Sequence, residues 1–368
     1  MIENGTREEL LDAVVIGGGQ AGLAMAWHLA KHHLRFVVLE AGPEVGHTWR
    51  SRWDSLTLFT PAQYDSLPGM PFPGAPDTYP GKDAVADYLQ AYAAAFSLPV
   101  RLNARVIQLH KSAEGFEIRT QDEIYRARQV VVATGPFQVP FMPPAARRLD
   151  GSVTQVHSTN YRNSQALPPG PVLVVGGGNS GFQIAEELAA AGRQVELSIG
   201  SKMPVLPQRL AGRDLFWWLT RLGLLRVGVA SRPGRRMSRR DFIIGGSRRR
   251  LQAAGVRLRP GVAEAQGRTV RFTDHTTIAV DTIVWATGYR LDYSWIGIPG
   301  VVGDGAVIHR RGATEVPGLY FLGLSWQHTR GSALLGFVRD DAAYLADRIT
   351  TTPSATHGPA RPAAQPAA

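Results

Sequence analysis

Residues 11–40, LDAVVIGGGQAGLAMAWHLAKHHLRFVVLE, contain a β-strand, a glycine-rich turn, an α-helix and a second β-strand in immediate succession. Apolar and β-branched side chains at residues 12–16 predict a buried parallel strand, and FVVL at residues 36–39 predicts a second one. Small and apolar residues at helical spacing between the two strands predict the helix. This stretch decides the fold, because a later part of the chain repeats its plan.

The turn after the first strand carries Gly17, Gly19 and Gly22, which fall on the G-x-G-x-x-G spacing. The first glycine allows a tight turn, the second lets the backbone approach a pyrophosphate, and the third lets the helix pack closely on the strand. The helix N-terminus offers free N–H groups and a partial positive charge to phosphates. Glu40 ends the second strand, where a carboxylate can accept hydrogen bonds from a ribose 2′-hydroxyl. Together these parts predict a dinucleotide site.

The same plan begins again after a Pro- and Gly-rich hinge at residues 168–171. VLVV at residues 172–175 predicts another buried strand, and GGGNSG at residues 176–181 repeats the glycine spacing. An Ala-Thr-Gly sequence also ends an apolar run in each half, at residues 133–135 and 286–288. The two pairs of motifs are separated by similar lengths of chain, which indicates one domain plan used twice and predicts two dinucleotide sites.

The two sites are expected to bind different molecules, because the second lacks an acid in the ribose position. The strand QVELSIGSK at residues 194–202 ends in glycine, hydroxyl and cationic residues, with Ser198, Ser201 and Lys202 around the expected 2′ position. An acid favours NAD there, whereas hydroxyl and cationic groups accommodate a 2′-phosphate. This pattern favours NADPH in the second site; the alternative is a site that accepts either nicotinamide.

Length and composition set wider limits. A chain of 368 residues predicts two domains, and 44% hydrophobic with 19% charged residues is ordinary for a globular protein. No apolar run approaches the roughly 18 residues of a membrane span, and the polar, acidic N-terminus is not a secretory signal. The absence of cysteine excludes a disulfide framework, a cysteine metal site and a CxxC redox pair. We therefore expect a cytoplasmic protein without a metal site.

The net charge of +10 is concentrated in residues 201–260, which hold fifteen Lys or Arg and two acids. A solvated basic surface explains this equally well as a site for a phosphorylated cofactor or acidic substrate. No recognised nucleic-acid fold signature accompanies the charge, so we expect no nucleic-acid partner. Within this stretch, apolar residues 215–219 and 222–225 predict a helix, interpreted as a core helix with a lid, membrane-surface contact or dimer contact as alternatives.

Three other segments complete the chain. Residues 41–80 are rich in Pro, Gly and aromatic residues and predict a long irregular segment, which in a compact domain is usually functional. Residues 318–323 predict a last strand returning to the first domain, followed by a helix over residues 333–349. Residues 351–368 are rich in Pro and Ala and predict a disordered tail.

The ordered set of motifs resembles the flavin-containing monooxygenases, which are class B flavoprotein monooxygenases, and in particular small bacterial members. The set comprises GGGQAG at residues 17–22, Glu40, G-x-x-W at residues 46–49, ATG at residues 133–135, GGGNSG at residues 176–181 and WATGY at residues 285–289. Residues 53–68 are also similar to the plant indole-pyruvate monooxygenases.

The resemblance implies an α/β fold with two Rossmann-like dinucleotide-binding domains, the second inserted into the first, as in glutathione reductase. The FAD-binding domain would comprise residues 8–150 and 289–350, and the NADPH-binding domain residues 151–288. The C-terminal helix would direct its N-terminus at the flavin ring, where its dipole would stabilise negative charge.

The resemblance also assigns site residues. FAD would be bound by Gly17, Gly19, Gln20, Ala21, Gly22, Glu40 and Trp49. The NADPH pyrophosphate would be bound by Gly176, Gly178, Asn179, Ser180 and Gly181. Further cofactor-binding candidates are Val106, Thr134, Gly135, Ser198, Ser201, Lys202, Gly288 and Gly323. Thr60 and His328 are the catalytic candidates, and His328 with Arg330 would line the substrate cavity or cap its loop.

The implied activity is an FAD-dependent, NADPH-consuming monooxygenase that inserts one oxygen atom from O2 into a small soft nucleophile, at nitrogen or sulfur, by way of a flavin hydroperoxide. Two alternatives stay open: an NADPH-dependent flavin reductase that passes electrons to a non-thiol acceptor, and a non-catalytic flavin redox sensor or accessory protein. The motif His157-x-x-x-Tyr161 keeps the family spacing without the Trp-Pro of ketone-oxidising enzymes, and His157 is interpreted as a linker residue that orients the domains. The partners would be a small-molecule substrate and O2, with a homodimer possible.

Overall fold

The computed structural model describes residues 10–200, 203–239 and 242–351. The helices are α1 (Gln20–Lys31), α2 (His47–Arg50), α3 (Lys82–Ala95), α4 (Asn179–Ala190), α5 (Leu215–Arg221), α6 (Arg232–Ser238), α7 (Arg248–Ala253) and α8 (Arg339–Thr351). The strands are β1 (Leu11–Ile16), β2 (Phe36–Leu39), β3 (Val100–Arg101), β4 (Val106–Ser112), β5 (Gly115–Thr120), β6 (Ile124–Val132), β7 (Val139–Pro140), β8 (Thr154–His157), β9 (Val172–Val175), β10 (Val195–Ile199), β11 (Val205–Leu206), β12 (Arg209–Leu210), β13 (Arg213–Asp214), β14 (Ile243–Ile244), β15 (Arg257–Pro260), β16 (Val262–Gln266), β17 (Thr269–Phe272), β18 (Thr277–Ala279), β19 (Thr282–Trp285), β20 (Tyr289–Arg290), β21 (Val302–Gly303), β22 (Ala306–Val307) and β23 (Leu319–Phe321).

The first sheet has seven strands in the order β3-β2-β1-β6-β5-β4, with β23 also paired to β6. Strands β3, β2, β1, β6 and β23 run parallel, whereas β4 and β5 form an antiparallel meander with β6. The buried faces follow from the apolar runs: Val15 and Val38 face helices α1, α3 and α8, and Val14 and Val37 face the opposite layer. The strands predicted at residues 12–16 and 36–39 are thus present at the centre of this sheet.

Strand β6 is one continuous strand, Ile124–Val132, that takes part in both the antiparallel and the parallel portion of the sheet. Its first half pairs antiparallel with β5, and its second half pairs parallel with β1 and β23. Strand β3 pairs parallel with β2 at the edge of the sheet. One strand therefore joins the meander directly to the strand that ends at the Ala-Thr-Gly sequence.

The second sheet has five strands in the order β15-β10-β9-β19-β8, all parallel. Helix α4 packs Phe182, Ile184 and Leu188 against one face of this sheet. The opposite face is covered by the antiparallel meander β16–β18, whose Val270 and Phe272 are fully buried against Trp285. The repeated glycine motif therefore introduces a second sheet of the same α/β type as the first.

Two crossings of the chain join the sheets. Strand β7, which follows the first sheet, pairs antiparallel with β20, which follows the second. Beyond them the chain returns to the first sheet through β23, whose Leu319 aligns with Val130. The strand predicted at residues 318–323 is thus present as β23, and it belongs to the first sheet.

The C-terminal helix begins later than the sequence predicts. Residues Arg330–Ala333 form a 3₁₀ turn capped by Thr329 and Ser332, and α8 starts only at Arg339. A side chain at Gly336 would collide with the carbonyl oxygen of Tyr64, so tertiary contact holds this part of the chain out of the helix. The first turn of α8 carries Asp340 and Asp341, so acidic side chains already lie at the positive end of its dipole. The placement of this N-terminus at the flavin ring stays a prediction.

Among the described residues, no helix combines the length and the apolar character that crossing a bilayer requires. The same residues contain no cluster of three or more His, Cys, Asp or Glu side chains arranged for a metal ion. The tail predicted to be disordered lies outside the described residues, apart from Thr351 at the end of α8.

Candidate cofactor sites and active site

The first glycine turn is closed so tightly that only glycine fits. Gly17 has φ +109°, and a Cβ on it would lie 2.6 Å from the carbonyl oxygen of Ala133. A Cβ on Gly22 would collide with the carbonyl oxygen of Gly17. Gly19, by contrast, has no atom within 4 Å of the position of a Cβ, so its backbone faces open space. The turn therefore leaves room for a group to approach the start of α1.

The second glycine turn repeats this geometry. Gly176 has φ +135°, and a Cβ on it would collide with the carbonyl oxygen of Ala286, the residue that follows β19. A Cβ on Gly181 would collide with the carbonyl oxygen of Gly176, and Gly178 has only the Met203 Cε at 4.0 Å. The two turns agree position by position, including the strand whose Ala-Thr-Gly end supports each of them.

Both turns lead into a helix whose first N–H groups are left open. The N-cap residues are Gly19 for α1 and Gly178 for α4, and neither offers a side chain to bond those groups. No acidic residue lies in the first turn of either helix. Because uncapped N–H groups and the helix dipole both attract anions, each helix start is suited to a phosphate group.

Glu40 lies at the end of β2 and is held by the backbone on both sides. Its Oε2 accepts from the Gly18 N–H at 2.7 Å, and its Oε1 accepts from the Gly42 N–H at 2.7 Å. The carbonyl oxygen of Glu40 also accepts from the N–H of Ala104, just before β4. These bonds fix the carboxylate beside the first glycine turn, and each oxygen keeps lone pairs for further donors.

The remaining first-site candidates lie around the same turn. Trp49 Nε1 donates to Oε1 of Gln20 at 3.3 Å, which links α2 to the first residue of α1. Ala21 lies against Gly323, where a Cβ would come within 2.8 Å of the Ala21 Cβ. Val106, half-buried, begins β4, two residues beyond the segment bonded to Glu40.

The Ala-Thr-Gly ends of the two sheets carry further candidates. The side chain of Gln138 donates to Thr134 Oγ1 at 2.9 Å and to the carbonyl oxygen of Gly135 at 3.0 Å. Gly135 and Gly288 have φ +69° and +81°, and neither has an atom within 4 Å of a Cβ position. Both glycines therefore border open space at the carboxyl ends of their strands.

The second-site side chains differ from expectation in one respect. The buried hydroxyl of Ser198 donates to the carbonyl oxygen of Pro260 at 2.8 Å, so it is directed at the neighbouring strand β15 and not at the strand end. Its side chain alternates inward because it lies within the paired part of β10. Ser201 and Lys202, the other residues proposed for a 2′-phosphate, lie outside the described residues.

The second helix start also has side-chain support. Asn179 Oδ1 accepts from the N–H of Ile244 at 3.1 Å, which ties the first residue of α4 to β14. Ser180 follows it and is half-buried. Glu196, one residue inside β10, is engaged by Arg259 of β15, whose Nε lies 2.6 Å from its Oε2. This acid is therefore paired within the sheet, with Arg259 of the neighbouring strand.

Thr60, a catalytic candidate, is buried and donates from Oγ1 to Oδ1 of Asp65 at 2.6 Å. Asp65 is 0% exposed, and its Oδ2 has no hydrogen-bond partner among the described residues. Burial raises the pKa of the Asp65 carboxyl to about 7, and the Thr60 hydroxyl opposes this only in part. Sequence reasoning missed Asp65, because a lone acid in a Pro- and Gly-rich loop carries no periodic signal.

Four aromatic rings from three distant segments meet next to this pair. Phe59 and Phe216 stack at 6.1 Å, Tyr64 and Phe337 stack at 6.2 Å, and Phe216 and Phe337 lie 6.1 Å apart. Phe216 belongs to α5, so the segment of residues 203–239 contacts both the irregular segment and the C-terminal loop. The four rings give this region an apolar lining that sequence spacing could not show.

His328, the other catalytic candidate, lies under the same segment. Its carbonyl oxygen accepts from the N–H of Val229 at 2.7 Å, and a Cβ on Gly228 would lie 3.2 Å from its imidazole. Burial, assisted by Arg311, lowers the pKa of His328 and favours the neutral ring. The guanidinium of Arg330 lies 5.3 Å from the centre of the Phe242 ring. The structure thus brings His328 to the 203–239 segment, and not into hydrogen-bond contact with Thr60.

His157 belongs to a hydrogen-bond chain between the two sheets. Its Nε2 lies 3.1 Å from the carbonyl oxygen of Gly288 and therefore carries the proton, so Nδ1 accepts from the N–H and hydroxyl of Thr159 at 3.1 and 3.0 Å. Thr159 Oγ1 in turn lies 2.7 Å from the hydroxyl of Tyr289, which accepts from Arg52. Burial lowers the pKa of His157, which keeps the ring neutral.

The two glycine turns on parallel sheets, with an acid at the first and none at the second, are features of flavoproteins that bind a second nucleotide. The chain belongs to the pyridine nucleotide-disulphide oxidoreductase family, whose model matches residues 14–204. The family name refers to disulphide chemistry, yet these 368 residues include no cysteine.

Individual relatives and solved structures show which members of this family the chain is similar to. A CzcO-like oxidoreductase of Geobacillus kaustophilus is 47% identical over 93% of this chain and 99% of its own length. The indole-3-pyruvate monooxygenase YUCCA1 of rice, Oryza sativa subsp. japonica, is 29% identical over 89% of this chain and 86% of its own. The structure of a flavin-containing monooxygenase from Stenotrophomonas maltophilia superimposes with a TM-score of 0.79 at 28% identity, covering 93% of this chain and 98% of that one. The resemblance to flavin-containing monooxygenases is confirmed.

Proposed function

We propose that this protein is an FAD-dependent, NADPH-consuming monooxygenase that transfers one oxygen atom from O2 to a nitrogen or sulfur atom of a small substrate. The observation that carries the proposal is the pair of matching glycine turns, each leading into a helix with an open N-terminus. Support comes from the relatives in rice and Stenotrophomonas maltophilia, which are named as monooxygenases and match most of the chain.

The residues present fit the two cofactors. FAD belongs in the first turn, where Glu40 is fixed for a ribose and Gly19 leaves space for a pyrophosphate. NADPH belongs in the second turn, where the end of β10 offers no free acid and Gly178 leaves similar space. In this proposal the FAD-binding domain comprises residues 8–150 and 289–350, and the NADPH-binding domain, residues 151–288, is inserted into it.

When bound, FAD supplies hydride acceptance from NADPH and the reaction with O2, so the protein contributes binding, orientation and electrostatics. The starts of α1 and α4 would bind the pyrophosphates through their N–H groups and the helix dipoles. Glu40 would accept from the ribose while the N–H groups of Gly18 and Gly42 hold its carboxylate in place.

The aromatic lining excludes water from the reacting region. The lining consists of four aromatic rings in contact, those of Phe59, Tyr64, Phe216 and Phe337. Because Phe216 belongs to the 203–239 segment, the lining is complete only when that segment is packed in place. This segment is fastened by Asp214, which accepts from the hydroxyl of Tyr79 at 2.7 Å and from Gln208 at 2.8 Å. An apolar lining of this kind favours a small uncharged substrate with an aromatic or aliphatic body.

The buried pair of Thr60 and Asp65 provides a group that can hold or release a proton at neutral pH. Burial raises the pKa of the Asp65 carboxyl to about 7, and the Thr60 hydroxyl keeps one carboxyl oxygen in a fixed position. We assign to Asp65 the holding of that proton beside the aromatic lining, and to Thr60 the orientation of the carboxyl group. His328 is assigned to the wall of the cavity under residues 228–229.

The test is isotope transfer under turnover. The FAD-loaded protein is mixed with NADPH, ¹⁸O₂ and a panel of small amines and sulfides, and product mass is followed together with NADPH oxidation and peroxide. We expect one ¹⁸O atom in an N- or S-oxidised product and a marked preference for NADPH over NADH. Oxidation of NADPH with stoichiometric peroxide for every substrate would contradict oxygen transfer and leave a flavin reductase. Bound FAD with negligible NADPH oxidation would identify a redox sensor instead.

A further inference from the structure

The 203–239 segment presents large apolar side chains to solvent. Leu222 is 63% exposed and Leu210 is 53% exposed, and Leu224 lies nearby at the next turn. Trp217 and Trp218 are half-buried between them. We call these five residues the Trp–Leu surface.

The Trp–Leu surface is continuous across two elements. The indole of Trp218 donates to the carbonyl oxygen of Leu210 at 2.9 Å, which joins α5 to the tip of the β12–β13 hairpin. The rings of Trp217 and Trp218 meet edge to face at 4.7 Å. Leu222 follows directly on α5 as its C-cap residue. The apolar side chains therefore form one patch and are not scattered singly.

The side of the 203–239 segment opposite the Trp–Leu surface is packed into the protein interior. Leu215, Phe216 and Leu225, from the opposite side of the same segment, are buried against Phe59, Tyr64 and Phe337. Asp214 caps α5 by accepting from the Phe216 N–H at 2.6 Å. Since the buried side of α5 is well packed, the exposure of its other side belongs to the folded state and not to an unfolded loop.

Arginine dominates the charge of the segment that carries the patch, and Arg213 lies 5.5 Å from the centre of the Trp217 ring. All eight arginines of the described part of this segment are exposed, and among the described residues no carboxylate lies within 4.0 Å of any of them. They are Arg209, Arg213, Arg221, Arg226, Arg232, Arg235, Arg236 and Arg239. The single acid among residues 203–239, Asp214, is buried and occupied by Tyr79, Gln208 and Phe216. The surface thus combines exposed Leu and half-buried Trp with arginines that have no carboxylate within 4.0 Å among the described residues.

We propose that the Trp–Leu surface docks on a membrane that contains anionic phospholipids. Trp and Leu next to unpaired Arg is the side-chain composition of structures that lie in the plane of a bilayer interface. The apolar side chains would enter the headgroup region, where Trp is favoured, while the guanidinium groups would pair with lipid phosphates in bidentate geometry. Charge complementarity selects anionic lipid as the partner, because the patch carries no accessible acid for a mixed-charge protein interface.

The experiment is flotation of full-length, FAD-loaded protein with vesicles. Vesicles of phosphatidylglycerol and phosphatidylcholine are compared with pure phosphatidylcholine at low and high salt. We expect binding to the anionic vesicles alone, weakened at least about tenfold when NaCl rises from about 50 to about 500 mM. The variant L210S/L222S should bind at least about tenfold more weakly, because both leucines are more than half exposed and leave the core intact.

Matched controls separate docking from misfolding. The variant L291S/I308S removes two exposed apolar side chains elsewhere, 38% and 47% exposed, and should bind vesicles as the wild type does. FAD content and melting temperature should be unchanged in both double variants. The variant R221Q/R226Q should weaken binding to anionic vesicles and reduce its dependence on salt.

Three results would overturn the proposal. The first such result is that the wild-type protein does not float with anionic vesicles at low salt. Vesicle binding that is unaffected by L210S/L222S yet competed fully by a DNA duplex would show a general polyanion site. Concentration-dependent dimerisation in sedimentation without lipid, lost in L210S/L222S, would show that a second copy covers the patch. None of these results depends on oxygen transfer, so the function proposed above is tested separately.

Discussion

The hydroxyl of Thr60 donates a 2.6 Å hydrogen bond to a carboxyl group, that of Asp65, which has no access to solvent. Asp65 Oδ2 has no donor among the described residues, so its negative charge is poorly supported when ionised. The pKa of about 7 follows from this burial. A titrating group is thereby built into the interior next to the aromatic lining of the candidate active site.

Replacing Asp65 by Asn tests this relationship through stability. The folded protein keeps the Asp65 proton up to about pH 7, whereas the unfolded chain releases it near the ordinary value of 3.8. The free energy of unfolding of the wild type should therefore fall as pH rises between these values and stay reduced above about 7. D65N lacks this titration, so its stability relative to wild type should rise across the same interval by ~4 kcal/mol at most.

The measurement is chemical denaturation of both proteins between about pH 4 and about pH 8. D77N, at an exposed aspartate of the same irregular segment that accepts from Gln63, serves as the matched control and should parallel the wild type. Parallel curves for D65N and wild type would show that Asp65 does not hold a proton in the folded state.

Substitution of the glycine that closes each turn should impair the binding of one cofactor and leave the other bound. G22A would force a Cβ against the Gly17 carbonyl oxygen, and G181A would force one against that of Gly176. Overpacking of this kind costs about 1–3 kcal/mol locally. We expect G22A to lose FAD and purify colourless, and G181A to stay yellow but reduce with NADPH at least about tenfold more slowly.

The control for both variants is G151A, since Gly151 has open surroundings and no positive φ. Absorbance of bound flavin and anaerobic reduction by NADPH are the two measurements. A yellow G22A with slow reduction, together with a colourless G181A, would reverse the assignment of the sites.

Glu40 should matter for FAD through its geometry as well as its charge. In E40Q one carboxylate oxygen becomes an NH2 group, which cannot accept from Gly18 or Gly42, and the unpaired N–H costs about 1–3 kcal/mol. We expect FAD to dissociate at least about tenfold more readily, as measured by recovery of flavin fluorescence on dilution. E44Q changes a partly exposed carboxylate that pairs with Arg50 at 3.3 Å and accepts from Gln90 at 2.8 Å, and it should retain FAD normally.

The hydrogen-bond chain from Arg52 through Tyr289 and Thr159 to His157 should hold the two sheets in a fixed position relative to each other. Y289F removes the hydroxyl that joins Thr159 to Arg52 and keeps the ring that contacts Phe137 and His157. The loss of a hydrogen bond worth about 1 kcal/mol should slow flavin reduction roughly fivefold in Y289F, with FAD content unchanged. Y125F, at a half-buried tyrosine that bonds Glu123, is the control, and an equal effect there would exclude a specific role for the hydrogen-bond chain.

Much of the architecture follows from local sequence. Strands β1, β2 and β9 coincide with predominantly apolar runs, β10 alternates apolar and polar residues, and the glycine turns lie where the spacing puts them, because each signal is contained within a few residues. The candidate residues Gly17 to Gly22 and Gly176 to Gly181 could be named for the same reason. Backbone geometry at these turns admits only one residue type at the closing positions.

The features that sequence did not predict depend on contacts between distant segments. Asp65 is buried by packing between the irregular segment, α3 and the C-terminal loop, where Gly336 touches the Tyr64 carbonyl. The same contact delays the start of α8 to Arg339, although residues 333–338 have apolar side chains suited to a helix. The hydrogen bond of Ser198 also depends on a distant segment, because its partner, Pro260, is on a strand whose register the local sequence does not specify.

The pairing of β23 with β6 has a consequence for synthesis of the chain on the ribosome. Strand β6 emerges early, yet its partner Leu319–Phe321 follows only after the complete second sheet, at roughly 5–20 residues per second. For on the order of ten seconds or longer, the nascent protein therefore carries an open hydrophobic edge at Val130–Val132, which invites chaperone binding. The sheet whose sequence begins first is the one whose folding finishes last.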